Sequence, residues 1–176
     1  MKNIAMDFIY VLIEEARKIC YRSDFEINVE GNVYALDSST INLCFSVFWW
    51  AEFRNTKGGI KLHTSYDVKT SLATFLHISN AKMHNVNVLD LISYELRSFY
   101  AIDKANIYFK SLYHPHQHRT FIVTRAKDNM RFKRMYSIPV DKATGERDDQ
   151  IGKLETYYPN KDYLVKLRRI KHYDCE

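Results

Sequence analysis

Hydrophobic residues recur at helical spacing through the first part of the chain. Steps of three and four residues place such side chains on one face of a helix. The pattern therefore predicts an amphipathic helix over residues 4–20. The apolar positions that define it are Ala5, Phe8, Ile9, Leu12, Ala16 and Ile19.

Short β-prone runs predict strands beyond this helix. Two of them run straight into a carboxylate, at Asp37 and at Asp103. The run at 60–67 alternates apolar and polar residues, as expected for a strand with one polar face, and follows a predicted turn at 57–59. The expected strands lie at residues 33–36, 60–67, 74–78, 99–102 and 120–125, and further helices at 86–96 and 107–113.

The composition and hydrophobic pattern of the chain change near residue 129. Residues 129–176 carry more charge, alternate weakly and contain the turn signals Pro139, Gly145 and Pro159. The whole pattern predicts an α/β protein in which a mixed sheet with flanking helices precedes a β-rich segment. Its expected parts are a helix and lead-in over 1–31, a core over 32–128 and the β-rich segment over 129–176.

Composition narrows the class of protein. Hydrophobic residues make up 46% and charged residues 27% of the 176 positions, which is globular usage rather than that of a disordered or collagen-like chain. Three cysteines without zinc-finger spacing support neither a disulfide scaffold nor a zinc finger. No signal peptide and no apolar run of about 18 residues is found, so we expect a cytoplasmic protein without a membrane span.

The two carboxylates suggest a site for a divalent cation. If their strands are neighbours with aligned ends, Asp37 and Asp103 meet at one edge of the sheet. Carboxylates in that position bind Mg²⁺ or Mn²⁺ and can support two-metal phosphoryl transfer. The alternative is that each caps a turn or a helix, which is the commoner role of an Asp after a strand.

The residues around both acids resemble those of a known family. The sequence is similar to bacterial insertion-sequence transposases of the Asp-Asp-Glu class over nearly its whole length. The similar blocks are residues 33–41, 48–54, 57–64, 87–90, 99–105, 121–130 and 149–154.

The resemblance implies a ribonuclease H-like catalytic core that cuts and joins the ends of transposons in double-stranded DNA with divalent metal. Asp37 and Asp103 correspond to two of the metal-binding, catalytic acids, and the β-rich segment to an insertion after the fifth strand. The family's third acid, a Glu in a Tyr-x-x-Arg-x-x-x-Glu motif, does not occur before Glu176. A truncated and catalytically impaired copy is therefore expected.

Basic residues are concentrated in the C-terminal part. Residues 1–100 contain 10 basic and 11 acidic residues, and residues 101–176 contain 16 and 10. In the context of this family, such clusters predict phosphate contacts, with a solvated basic face as the alternative. The candidate DNA-binding residues are Arg125, Lys127, Arg131, Lys133 and Arg134, with Lys61 and His63 on the polar side of the strand at 60–67.

A second function remains open at this point. The chain could be a non-enzymatic DNA-binding remnant, or an inhibitor that pairs with intact transposase, and a homodimer would suit this role. His114, His116 and His118 could suggest a metal site, but alternate histidines in a loop are more often surface residues.

Overall fold

A computed structural model describes residues 2–19, 27–44, 52–54, 57–81, 86–104, 113–128, 130–155 and 165–173. The chain divides into two compact units, residues 1–125 and residues 126–176. Each contains its own β-sheet. In the part of the chain that is described, no helix has both the length and the apolar character needed to cross a membrane.

The first unit is built on a six-stranded mixed sheet. Its described residues also form one long helix and two short ones. The α/β class and the mixed sheet predicted from the sequence are therefore confirmed. In chain order the elements are α1 (Lys2–Ile19), β1 (Val33–Leu43), β2 (Glu52–Arg54), β3 (Lys57–Asp67), β4 (Leu72–Asn80), α2 (Val86–Leu89), β5 (Phe99–Ile102), α3 (Tyr113–Gln117) and β6 (Phe121–Thr124).

The strands of this sheet differ in direction on the two sides of β1. The order is β2-β3-β1-β5-β6, and β4 also pairs with β3. On one side, β1 runs antiparallel to β3, and β3 runs antiparallel to β4. On the other side, β1, β5 and β6 are parallel to one another. Three adjacent strands therefore run in the same direction, and β1 extends beyond the carboxyl ends of β5 and β6.

One face of the sheet forms the core of the first unit. Tyr34 of β1 stacks on Tyr100 of β5 with ring centroids 4.9 Å apart. Leu89 and Ile92, from α2 and the turn after it, and Ile102 of β5 complete the buried cluster. Because successive side chains of a strand point to opposite faces, residues 35 and 101 lie on the other face.

Helix α1 packs on β4 but leaves apolar side chains exposed. The hydroxyl group of Tyr10 donates a hydrogen bond to the backbone oxygen of Leu76 at 2.9 Å. On the outer side of the helix, Ile4 is 72% exposed and Phe8 is 61% exposed. The amphipathic pattern of α1 therefore has more apolar surface than its contact with the sheet covers.

The second unit is a three-stranded antiparallel sheet. Its strands are β7 (Phe132–Ile138), β8 (Glu146–Leu154) and β9 (Leu167–His172), with β8 in the centre. A 3₁₀ turn at Lys142–Thr144 connects β7 to β8, and the Asp141 side chain caps it by accepting a hydrogen bond from the Ala143 backbone at 2.9 Å. Most side chains of β7 and β9 are exposed.

The elements agree with the sequence in most places, and the differences include helix α3, which contains His114 and His116 where a loop was expected. Strand β1 continues past Asp37 to Leu43, because its polar second half pairs with residues 58–63 of β3. The predicted turn at 57–59 is instead the start of β3. Helix α2 ends at Leu89 rather than near residue 96. The helix predicted over 107–113 falls, apart from its last residue, outside the described residues.

Candidate acidic site at the edge of the sheet

The pairing of β1 with β5 brings the two predicted acids to the same level of the sheet. Leu36 pairs with Ile102 in the parallel register. Asp37 follows Leu36 in the sequence, and Asp103 follows Ile102. Adjacent strands lie about 4.8 Å apart. The two aspartates are therefore neighbours across the sheet, which is the arrangement expected if their strands are adjacent.

Both aspartates lie on the face of the sheet that is opposite the core. Leu36 packs against the buried cluster and Ile102 belongs to it, so the residues that follow them project from the opposite face. Asp37 is exposed, and the side chain of Asp103 is 42% exposed. Both carboxylates are thus accessible to water and to a ligand approaching the sheet edge.

A third charged residue extends this row. Strand β6 is parallel to β5, with Ile102 paired to Thr124, so Arg125 stands beside Asp103. The Nη2 atom of Arg125 donates a hydrogen bond to Oδ1 of Asp103 at 2.9 Å. Asp37 within β1, and Asp103 and Arg125 directly after β5 and β6, therefore form a row across three adjacent parallel strands, and we call this row the edge triplet.

The edge triplet has donors that suit a hard divalent cation. Carboxylate oxygens are the ligands that Mg²⁺ prefers, and this ion usually keeps several waters beside one or two carboxylates. Asp37 and Asp103 fit that requirement. Within the described ranges, no group of three or more His, Cys, Asp or Glu side chains is placed to bind a metal ion.

His63 is not on an exposed polar face, contrary to the prediction from the alternating pattern. It is 4% exposed, and a ring nitrogen lies 2.9 Å from the hydroxyl oxygen of Ser79. Burial, together with the neighbouring charges of His77 and Lys61, lowers the pKa of His63 to about 4. Residues 63, 65 and 67 are all buried, so the polar side of β3 faces the interior of the unit. This neutral, buried imidazole has no surface for a phosphate.

The other candidate DNA contacts are divided between the two units. Lys61 lies on β3 in the first unit and is partly buried, and Arg125 belongs to the edge triplet. The remaining candidates belong to the second unit, where Lys127 is partly buried and the others are exposed. They are Lys127, Arg131, Lys133 and Arg134.

The second unit adds basic residues that sequence reasoning did not select as DNA contacts. Arg169 of β9 lies over the ring of Phe132, with its Cζ atom 4.5 Å from the ring centroid, and also donates a hydrogen bond to Gln150. Arg168 pairs with the buried carboxylate of Asp149 at 2.7 Å. The cluster of basic residues at 166–171 was the signal for them.

A second polar network lies on the core side of the same sheet. The hydroxyl group of Tyr34 and the side-chain amide of Asn32 both donate hydrogen bonds to Glu95. The hydrogen bond from Tyr34 lowers the pKa of Glu95, whereas burial and the nearby carboxylate raise that of Tyr34. These groups border a cleft between α1 and the sheet, together with Arg17 and Asp67.

Known proteins do not show which family this chain belongs to. The chain matches no protein-family model, no curated protein and no solved structure. Its function must therefore be argued from the edge triplet, from the topology that creates it and from the basic second unit.

Proposed function

We propose that this chain is a DNA transposase of the Asp-Asp-Glu class with a ribonuclease H-like core and impaired catalysis. The observation that carries the proposal is the register of β1 and β5, which makes Asp37 and Asp103 neighbours at one sheet edge. In a ribonuclease H-like sheet, the first strand and a later central strand carry two of the acids. The central, adjacent positions of β1 and β5 support this proposal.

The proposed chemistry is cleavage and joining of phosphodiester bonds. A bound Mg²⁺ or Mn²⁺ would supply positive charge to stabilise the transition state at phosphorus. Asp37 and Asp103 would bind and orient that cation. Arg125, at the end of the row, would contact a phosphate oxygen, since a guanidinium group matches phosphate geometry.

Catalysis is proposed to be weak because, among the described residues, no third acidic side chain joins Asp37 and Asp103 in a metal-binding group. Glu146 and Glu155, the described glutamates in the C-terminal part of the chain, belong to the second unit, whereas the edge triplet belongs to the first. Losing one ligand of a cation removes charge neutralisation and loosens the alignment of the reacting groups. We therefore propose slow strand cleavage and very slow or absent strand transfer.

DNA affinity is proposed to come mainly from the second unit. Lys133 and Arg134 project from β7, and Arg131 precedes it, all of them exposed. Basic side chains that contact phosphates give affinity for any DNA sequence, and this affinity falls steeply as the salt concentration rises. Double-stranded DNA at the ends of a transposon is the proposed partner.

Nicking of supercoiled plasmid DNA in Mn²⁺ tests the enzymatic proposal. We expect slow nicking by the full chain that is lost in Asp37→Asn and in Asp103→Asn. Asp90→Asn is the control, because Asp90 is also an exposed carboxylate of the first unit but lies outside the edge triplet. Rapid nicking by the unaltered chain would contradict the impaired catalysis. Equal nicking by all variants would contradict the assigned acids.

A DNA-binding remnant or inhibitor is the competing function, and the exposed basic residues of β7 favour it. Its signature is DNA binding that does not change when Mn²⁺ is removed or when both aspartates are substituted. Fluorescence anisotropy with a labelled duplex, measured with and without Mn²⁺, distinguishes the two. Under the enzymatic proposal, Mn²⁺ strengthens binding in the unaltered chain and has no effect in Asp37→Asn.

A further inference from the structure

The two acids of the edge triplet differ in their surroundings. Asp103 is ion-paired with Arg125, with 2.9 Å between Nη2 and Oδ1. Among the described residues, no hydrogen bond or ion pair to the side chain of Asp37 is found. Without a cation, Arg125 therefore already holds one of the two proposed metal ligands.

The ion pair can be opened easily. The side chain of Arg125 is 78% exposed and that of Asp103 is 42% exposed, so water screens both charges. Ion pairs as exposed as this one contribute little to stability. A divalent cation placed between Asp37 and Asp103 would compete directly for the carboxylate that Arg125 now contacts.

We propose that Arg125 is a positioning residue with two alternative partners, Asp103 in the absence of a cation and a DNA phosphate when the cation is bound. This inference rests on the proposed function. The guanidinium stands at the end of the row, beside the acids and with most of its surface in solvent. Once released, it can bind a phosphate oxygen without a large change in the backbone.

The exchange couples cation binding to DNA binding. Arg125 lowers the affinity for the cation in the absence of DNA, both by occupying Asp103 and by its positive charge. When DNA is present, its phosphate draws the guanidinium away from Asp103, so the cation binds more tightly. By thermodynamic linkage, the cation must strengthen DNA binding by the same factor.

Two binding measurements on Arg125→Gln test this exchange. Without DNA, we expect the Mn²⁺ affinity, measured by titration calorimetry, to rise about two- to five-fold, the range expected for loss of an exposed ion pair. With Mn²⁺ present, we expect the affinity for a DNA duplex, measured by fluorescence anisotropy, to fall. Misfolding would lower both affinities, so the opposite directions are diagnostic.

Lys18→Gln is the matched control. It removes one positive charge from the first unit, on α1, where Lys18 pairs with Glu15 at 2.6 Å. Neither Mn²⁺ affinity nor Mn²⁺-dependent DNA binding should change in this variant. A rise in Mn²⁺ affinity equal to that of Arg125→Gln would attribute the effect to net charge and overturn the inference.

The possible failures are distinguishable. If the unaltered chain binds Mn²⁺ and Arg125→Gln leaves that affinity unchanged or weaker, the exchange is wrong and the proposed function stands. If the unaltered chain does not bind Mn²⁺ at all, the proposed function and the exchange fail together. Arg125→Lys should keep the low Mn²⁺ affinity, because the positive charge remains beside Asp103.

Discussion

Tyr34, on the central strand β1, donates a hydrogen bond from its hydroxyl group to the carboxylate of Glu95, in the segment before β5. Tyr34 is 8% exposed, and its ring belongs to the core of the first unit. The contact therefore ties the segment that leads into β5 to the strand on which β5 pairs. Both acids of the edge triplet depend on that pairing.

Removal of this hydroxyl group should destabilise the first unit. We expect Tyr34→Phe to lower the free energy of unfolding by about 1–2 kcal/mol, because a hydrogen bond to a charged group is lost in a largely buried place. Urea denaturation followed by circular dichroism measures the change. Tyr10→Phe is the control, since its hydroxyl group donates to Leu76 from a side chain that is 39% exposed. Its loss should be smaller, and equal losses would contradict the role given to Glu95.

His63 should make stability depend on pH. Its pKa falls from 6.5 in the unfolded chain to about 4 in the folded chain. The unfolded chain therefore binds more protons between these values, and the free energy of unfolding decreases as the pH is lowered from 6.5 towards 4. The expected loss is on the order of 2–3 kcal/mol.

Denaturation at several pH values isolates this effect. In His63→Gln the decrease between pH 6.5 and about 4 should be smaller than in the unaltered chain. His116→Gln is the control, because it removes an exposed histidine of the first unit instead of a buried one. The assignment is wrong if the two variants show the same pH dependence.

Asp149 and Arg168 should be important for the second unit. Asp149 is 3% exposed, and Arg168 donates hydrogen bonds to both of its carboxylate oxygens, which lowers the pKa of Asp149. We expect Arg168→Gln to reduce the stability of this unit, since it leaves the Asp149 carboxylate without its charged partner.

Hydrogen exchange of the β8 and β9 amides measures this loss locally, without depending on the unfolding of the first unit. Arg134→Gln is the control, because Arg134 is an exposed arginine of β7. Protection should fall in Arg168→Gln and remain in Arg134→Gln. Equal protection in the two variants would show that Asp149 does not need its partner.

Local sequence patterns predicted the parts of this fold that local forces determine. The spacing of apolar residues predicted α1, and the run at 99–102 predicted β5 with its boundaries. The stop at Asp37 was misleading, because the polar residues Ser38, Ser39 and Thr40 end the apolar run but not the strand, which continues to Leu43. Their backbone groups are held by pairing with β3, which is a tertiary effect.

The site was predictable in position but not in its interactions. Two apolar runs that each lead into an aspartate predicted that Asp37 and Asp103 lie near each other on neighbouring strands. Arg125 was expected only as a DNA contact, because its ion pair requires the register between β5 and β6. For His63, alternation showed two faces of a strand but could not show which one is buried. The core lies on the side that contains polar residues 63, 65 and 67.

The parallel arrangement of β1, β5 and β6 also has a consequence for the order of folding. Strands β3 and β4 are joined by a short turn, so they can pair as soon as both have been synthesised. The pairing of β1 with β5 instead joins residues about 66 positions apart, and closing such long loops is slow. Asp37 therefore leaves the ribosome long before Asp103 and Arg125, and we expect the edge triplet to be among the last features of the first unit to form.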